Sequence, residues 1–287
     1  MTSKALAATL ALCGLGVAAC GGTTGGTGAA PAQNGGPASG TASPASALSE
    51  RTATPAPETP ATGGSVPADP LKGKVVVIDP GHNGQNYRHP AEINKQVDVL
   101  TQKKACDTTG TETNNGYTEA AFTWDVSQRL AKILKSRGAT VKLTRQNNSG
   151  FGPCITERAA VGNKAHADAA ISIHADGASA GDHGFHIIMP KKINGPVDPV
   201  VGASRKLGID VRNAYKAGTG TPYSTYIGSK ALDFRNDLGG LNLSTVPKIF
   251  IECGNMRNAG DAANLQSPAF RQKAALALAN GLQNYLK

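Results

Sequence analysis

Residues 75–84 read Val75-Val76-Val77-Ile78-Asp79-Pro80-Gly81-His82-Asn83-Gly84, and their reading decides the architecture. Four consecutive β-branched residues form a run too short for a helix and apolar on both faces, as suits a parallel strand covered on either side. Asp79-Pro80-Gly81 stops the run with turn chemistry. His82 is thereby left on a Gly-rich turn at the strand's end, where functional groups collect in open α/β sheets.

Outward from this strand the periodicity alternates. Residues 119–137 show helical spacing, with Phe122, Val126, Leu130, Ile133 and Leu134 on one face and Gly138 as the C-terminal cap. A short strand is expected over 140–144, a helix over 155–166, and a strand over 169–174 in which Ile171 and Ile173 alternate. Further strands are expected over 184–189 and 248–252, and helices over 197–217 and 268–286, the last with Pro268 at a tolerated first-turn position. This alternation predicts an α/β fold: one domain, residues 73–287, built as a three-layer sandwich with a mixed, mostly parallel sheet flanked by helices.

The first quarter of the 287-residue chain has a different character. Lys4 precedes the apolar run 5–19, which is long enough for the core of an export signal and short for a membrane span. The run ends in Val17-Ala18-Ala19-Cys20, which resembles a bacterial lipobox, so residues 1–20 are expected to be a lipoprotein-type signal peptide with Cys20 lipidated. Residues 21–72 are almost all Gly, Ala, Thr, Ser and Pro and read as a disordered tether. Such a linker has a typical span of roughly 40 Å, enough to hold a domain away from a membrane.

All but two of the 29 Lys and Arg residues, and all but three of the 20 Asp and Glu residues, follow residue 70. The folded part is therefore strongly basic and suited to polyanions. Its cations are scattered, without aromatic interleaving or zinc-knuckle spacing, so nucleic-acid binding is not expected. Export places Cys106, Cys154 and Cys253 in an oxidising compartment. Cys106 and Cys154, both in polar loops, are expected to pair, and Cys253, ending an apolar strand, to be a buried thiol.

Two histidines and a carboxylate from separate elements make a common catalytic zinc site, and His82 and His174 both sit at strand ends. The sequence resembles the zinc-dependent N-acetylmuramoyl-L-alanine amidases of the third amidase type over essentially residues 73–287. The resemblance is carried by VVVIDPGHNG, by GYTEAAFTWDVSQRLAKILKSRGATVKLTR with its Glu at a helix start, by ERAAVGNKAHADAAISIHAD and by IFIECGNMRNAGDAANL. It implies one zinc ion per chain held by His82, Glu119 and His174, with Glu252 as the catalytic carboxylate. The reaction implied is hydrolysis of the amide between the lactyl group of muramic acid and the L-alanine of the stem peptide, in peptidoglycan or muropeptides. The chain looks similar to mycobacterial-type members without wall-binding repeats, which makes it an exported envelope protein, anchored through Cys20 or secreted, with a monomer as the default.

Asp79 is a candidate to accept a hydrogen bond from a ligand imidazole, and Arg158 to pin a helix to the sheet. His166 is expected late in a helix as a structural residue, and His183 and His186 flank a strand without an assigned role. Glu119 follows His82 by 37 positions, across a polar insertion that contains Cys106, the nearer carboxylates Glu92 and Glu112, and the decoy His89-Pro90-Ala91-Glu92. Competing readings are a zinc peptidase acting within the stem peptide and a non-catalytic wall-binding lipoprotein. The polar segment 218–243 is long enough to carry a cleft-covering helix.

Overall fold

The computed structural model describes residues 69–287. The expected signal peptide, Cys20 and most of the tether lie outside the described residues. The strands are β1 (Val75–Pro80), β2 (Gln96–Asp98), β3 (Lys103–Ala105), β4 (Thr140–Leu143), β5 (Ala169–Asp176), β6 (His186–Pro190), β7 (Leu232–Arg235) and β8 (Lys248–Asn255). The helices are α1 (Pro90–Ile93), α2 (Glu119–Ser136), α3 (Ile155–Lys164), α4 (Val201–Thr219), α5 (Gly239–Asn242), α6 (Ala259–Gln266) and α7 (Pro268–Leu286).

Six strands form one sheet in the order β4-β1-β5-β8-β6-β7, parallel except where β6 runs antiparallel to β8. Strand alternation gives the sheet two unlike faces. Val76, Ile78, Ile171, Ile173, Ile249 and Ile251 enter the larger core with residues of α2, α4 and α7. The opposite face carries Asp79, Ser172, His174, Phe250 and Glu252, set level by the register pairs Asp79 with Ser172 and His174 with Glu252. On this polar side α3 packs against β1 and α5, and α5 against β6. The sandwich is thus three-layered, as expected.

Local chemistry accounts for the main helices. Thr118 caps α2 by accepting a hydrogen bond from Ala121 N–H, and Phe122, Val126, Leu130 and Leu134 form its buried stripe. Ser267 caps α7, and Pro268 fills its first position. The ordered fold starts slightly before the apolar run of β1, because Leu71 is fully buried and its N–H donates to Arg137 O at 2.8 Å.

The expected elements are present with shifted ends, and the insertion holds the β2–β3 hairpin. Beyond the end of α4, segment 218–243 holds one helix, the four-residue α5, whose Gly239 and Gly240 line a pocket with His82 and His174. The segment also forms edge strand β7, because Leu232 and Phe234 alternate into the core side while Asp233 and Arg235 do not. His166 lies beyond the end of α3, exposed and with φ of 46°. No helix among the described residues is long and apolar enough to cross a membrane.

Candidate metal centre

His82 leaves β1 on a turn with φ of 57°, a left-handed conformation that is costly for a residue with a Cβ and concentrates at functional sites. Glu119 is the first residue of α2, and His174 projects from β5 on the polar face of the sheet. The three meet at the C-terminal ends of the parallel strands. Glu119 Oε2 lies 3.2 Å from His82 Nε2, and Glu119 Oε1 lies 2.9 Å from His174 Nδ1. The rings stand edge-on with centroids 5.0 Å apart, and one ligand atom from each residue falls within 4.8 Å of the others.

The backbone closes tightly around them. A Cβ on Gly81 would overlap the His174 ring, and one on Gly110, at φ of 75°, would stand 2.8 Å from both Glu119 Oε2 and His82 Cδ2. The Thr111 N–H donates to Glu119 Oε2 at 3.0 Å and the Ala175 N–H to Oε1 at 3.2 Å, so the carboxylate is fixed by its neighbours' main chain.

Burial alone would push the His82 pKa down, but the Glu119 and Asp107 carboxylates outweigh it and hold the ring up to about 10. The reverse holds for Glu119, where burial opposes ionisation but His82 and His174 keep the carboxyl below the ordinary range. No Lys or Arg pairs with Glu119 among the described residues; its side-chain partners are the two imidazoles of His82 and His174. This donor set fits a divalent cation, whose binding displaces protons from its ligands. Two imidazoles and one carboxylate are also the protein donors of one common catalytic zinc site, with a fourth position left open.

Glu252 stands across from His174 on β8. Its Oε2 is shielded from solvent and has no hydrogen-bond partner among the described residues. Burial, followed by the charges of Glu119 and Asp176, holds its carboxyl well above the usual range. It shares with His82, Glu119, His174, Asp176 and Arg235 a cleft of about 300 Å³. A carboxyl with a raised proton affinity, facing a cleft, is suited to general acid–base work.

The other candidates sort by position. Asp79 bonds no imidazole: its oxygens take Thr144 Oγ1 at 2.6 Å, Ser172 Oγ at 2.8 Å, Arg158 Nη1 at 3.0 Å and Lys248 Nζ at 3.0 Å. The carboxylate beside His82 is instead Asp107, with Oδ1 at 3.3 Å from Nδ1. Sequence reasoning missed it because Asp107 lies in the insertion, where only the fold brings it back to His82. Arg158 ties α3 to β1 through Pro80 O at 2.7 Å. His186 is buried opposite Glu252 on β6, and its Nδ1 also lacks a partner among the described residues.

His89 stacks on Phe151 with centroids 4.0 Å apart and lies 3.7 Å from Glu92, as a half-buried pair outside the centre. Cys106 and Cys154 are neighbouring thiols. Burial, and then the Cys154 thiol beside it, raises Cys106 to about 12. Cys253 is a buried thiol.

The profile of the family described as N-acetylmuramoyl-L-alanine amidase matches residues 76–284. The N-acetylmuramoyl-L-alanine amidase Rv3717 of Mycobacterium tuberculosis is 40% identical over 218 residues, which span 75% of this chain and 88% of that protein. The crystal structure of the amidase Ami1 from Mycobacterium smegmatis matches with a TM-score of 0.71 at 38% identity, covering 75% of this chain and 98% of that one. The apo form of Ami1 from Mycobacterium abscessus matches with a TM-score of 0.71 at 41% identity, covering 76% and 100%.

Proposed function

Because the chain belongs to the N-acetylmuramoyl-L-alanine amidase family, we propose that it hydrolyses the amide between the lactyl group of muramic acid and the L-alanine of the stem peptide in peptidoglycan. In this reading His82, Glu119 and His174 hold one zinc ion per chain, and Glu252 is the catalytic carboxylate. The observation that carries it is the pairing of a His-Glu-His donor set, with its Glu119 buried, and a carboxylate that has no hydrogen-bond partner among the described residues, in one cleft.

Zinc, when bound, supplies Lewis acidity that makes water more acidic and polarises a carbonyl. Glu252 accepts the proton of the attacking water at its unpartnered Oε2 and returns it to the departing amine nitrogen. The water oxygen adds to the carbonyl carbon as the C–O bond forms and the C=O π electrons move to oxygen; the C–N bond then breaks as the protonated amine leaves, and no covalent link to the enzyme is needed. Burial of Glu252, with the charges of Glu119 and Asp176 beside it, raises its affinity for a proton above that of an ordinary carboxylate, which favours taking the proton from water. Glu119, locked by two N–H donors and two imidazoles, serves as a ligand and stays ionised.

A non-catalytic reading is disfavoured because the three donors and Glu252 are assembled together. The peptidase reading separates by product. Mass spectrometry of digested muropeptides is expected to show intact stem peptide and peptide-free glycan; a shortened peptide still attached to muramic acid would establish the peptidase instead. We further propose that residues 1–20 direct export, that Cys20 carries the lipid, that the tether runs from residue 21 to about residue 68, short of the buried Leu71, and that Cys106 and Cys154 close a disulfide. Closing that loop contributes about 3 to 4 kcal/mol in the chain-entropy account. The protein then works as a monomer at the outer face of the membrane, as befits a chain related to wall amidases.

A further inference from the structure

The outward nitrogens of the two histidines are joined by one run of buried polar contacts that passes through a single guanidinium. His82 Nδ1 lies 3.0 Å from Thr108 O and 3.3 Å from Asp107 Oδ1. Asp107 Oδ2 accepts from Arg158 Nη2 at 2.9 Å, and Arg158 Nη1 donates to Asp79 Oδ1 at 3.0 Å. Asp79 Oδ2 accepts from Ser172 Oγ at 2.8 Å, and Ser172 Oγ lies 3.3 Å from His174 Nε2. Asp79, Asp107, Arg158 and Ser172 are each no more than 5% exposed.

Donor and acceptor capacity fixes the sense of this run. A carboxylate only accepts, so the single Ser172 proton goes to Asp79. At its other contact Ser172 must then accept, from a proton on His174 Nε2, which frees Nδ1. The Thr108 carbonyl also only accepts, so the His82 proton sits on Nδ1 and Nε2 is freed. In both rings the nitrogen left for a cation is the one beside Glu119, which faces that carboxylate until a cation takes its place.

We propose that Arg158 is the positioning residue of the metal centre, bracing Asp107 on one side and Asp79 on the other so that both imidazoles offer their free nitrogen to the ion. The inference rests on the reading of His82, Glu119 and His174 as zinc ligands. Only a planar fork can serve two carboxylates in this way. Its remaining donors are also engaged: Nε with Pro153 O at 2.8 Å, Nη1 with Pro80 O at 2.7 Å, and Nη2 with His82 O at 2.9 Å and Gly152 O at 3.1 Å. Asp79 keeps a second cation in Lys248, whereas Asp107 pairs with no other Lys or Arg among the described residues. The arrangement also gives the insertion a task, because it supplies both Asp107 and the Thr108 carbonyl to His82.

The test is zinc affinity of the metal-free full chain, read by competition with a chromophoric chelator, together with ¹⁵N spectra of the histidine rings. Arg158→Met and Arg158→Lys are expected to bind zinc about 10- to 100-fold more weakly, the range found when outer partners of metal ligands are removed. Ser172→Ala removes one hydroxyl and no charge. It should weaken zinc binding within that range and change the tautomer signature of His174 while leaving that of His82 unaltered. A purely structural Arg158 would lower the melting temperature without touching either readout. Folded Arg158→Lys and Ser172→Ala proteins with wild-type zinc affinity and unaltered His174 signals would overturn the proposal, and Ser172→Ala decides where an Arg158 variant fails to fold. A wild-type chain that binds no zinc would overturn the ligand assignment, and this inference with it.

Discussion

His174 and Glu252 are register partners on the adjacent parallel strands β5 and β8, so the sheet itself sets the spacing between an expected ligand and the expected catalytic carboxylate. Glu252→Gln keeps the size of the side chain and removes the proton acceptor. Turnover of muropeptides is expected to fall about 10²- to 10⁴-fold, with zinc content by elemental analysis unchanged. Because Oε2 has no partner to lose, the melting temperature should not drop. Wild-type turnover in this variant would remove Glu252 from the chemistry.

Glu119 and Glu92 give a paired test of the carboxylate ligand. Glu119 lies between the two imidazoles with 4% of its surface exposed, whereas Glu92 sits with His89 in the half-buried pair outside the centre. Glu119→Ala is expected to lose stoichiometric zinc, and Glu92→Ala to keep it. The reverse result would move the metal to the insertion.

Much of this architecture was legible in residue periodicity, and the exceptions have physical causes. β1 announced itself because four β-branched residues run together, and α2 because its apolar residues recur at helical spacing. β7 did not, because its two inward residues, Leu232 and Phe234, are embedded in a polar segment and lie at the sheet edge, where little apolar burial is required. His82, His174 and Glu252 stood out at strand ends, where an alternating α/β pattern concentrates chemistry. Asp107 was invisible, since its closeness to His82 depends on how the insertion folds back. The role expected of Asp79 fell to Asp107, because alternation directs Asp79 into the buried cluster of Ser172, Lys248 and Arg158 rather than toward a ring.

That cluster predicts an acid sensitivity. Burial raises the cost of ionising Asp79, but Lys248 and Arg158 overcome it and hold the carboxyl well below its usual value. A group whose folded pKa is depressed contributes stability that is fully present above its unfolded pKa of about 3.9 and is lost as pH falls through the folded value. Denaturant midpoints of the wild type should therefore decline below about pH 4. Asp79→Asn should be flatter in that range and less stable at pH 7 by about 3 to 5 kcal/mol, since it leaves two buried cations short of a partner. Parallel pH profiles for the two proteins would refute the assignment.

The tightest constraint on the metal centre is steric, and it can be probed without touching a polar group. Gly81 N–H donates to Ile173 O at 3.0 Å, which ties the turn after β1 to β5 and leaves the backbone little room to retreat. In Gly81→Ala the added methyl overlaps the His174 ring, so the ring must give way and its Nδ1 must leave the position facing Glu119. Zinc affinity is expected to fall by at least about tenfold, as for other changes that misorient a ligand, while circular dichroism stays native. Gly202→Ala is the matched control: nothing lies within 4 Å of its added Cβ and its φ is not positive. There the same methyl, in the first turn of α4, should raise stability by about 0.5 to 1 kcal/mol and leave zinc affinity untouched. Equal zinc affinity in the two variants would mean that His174 does not need the space beside Gly81 to hold a metal.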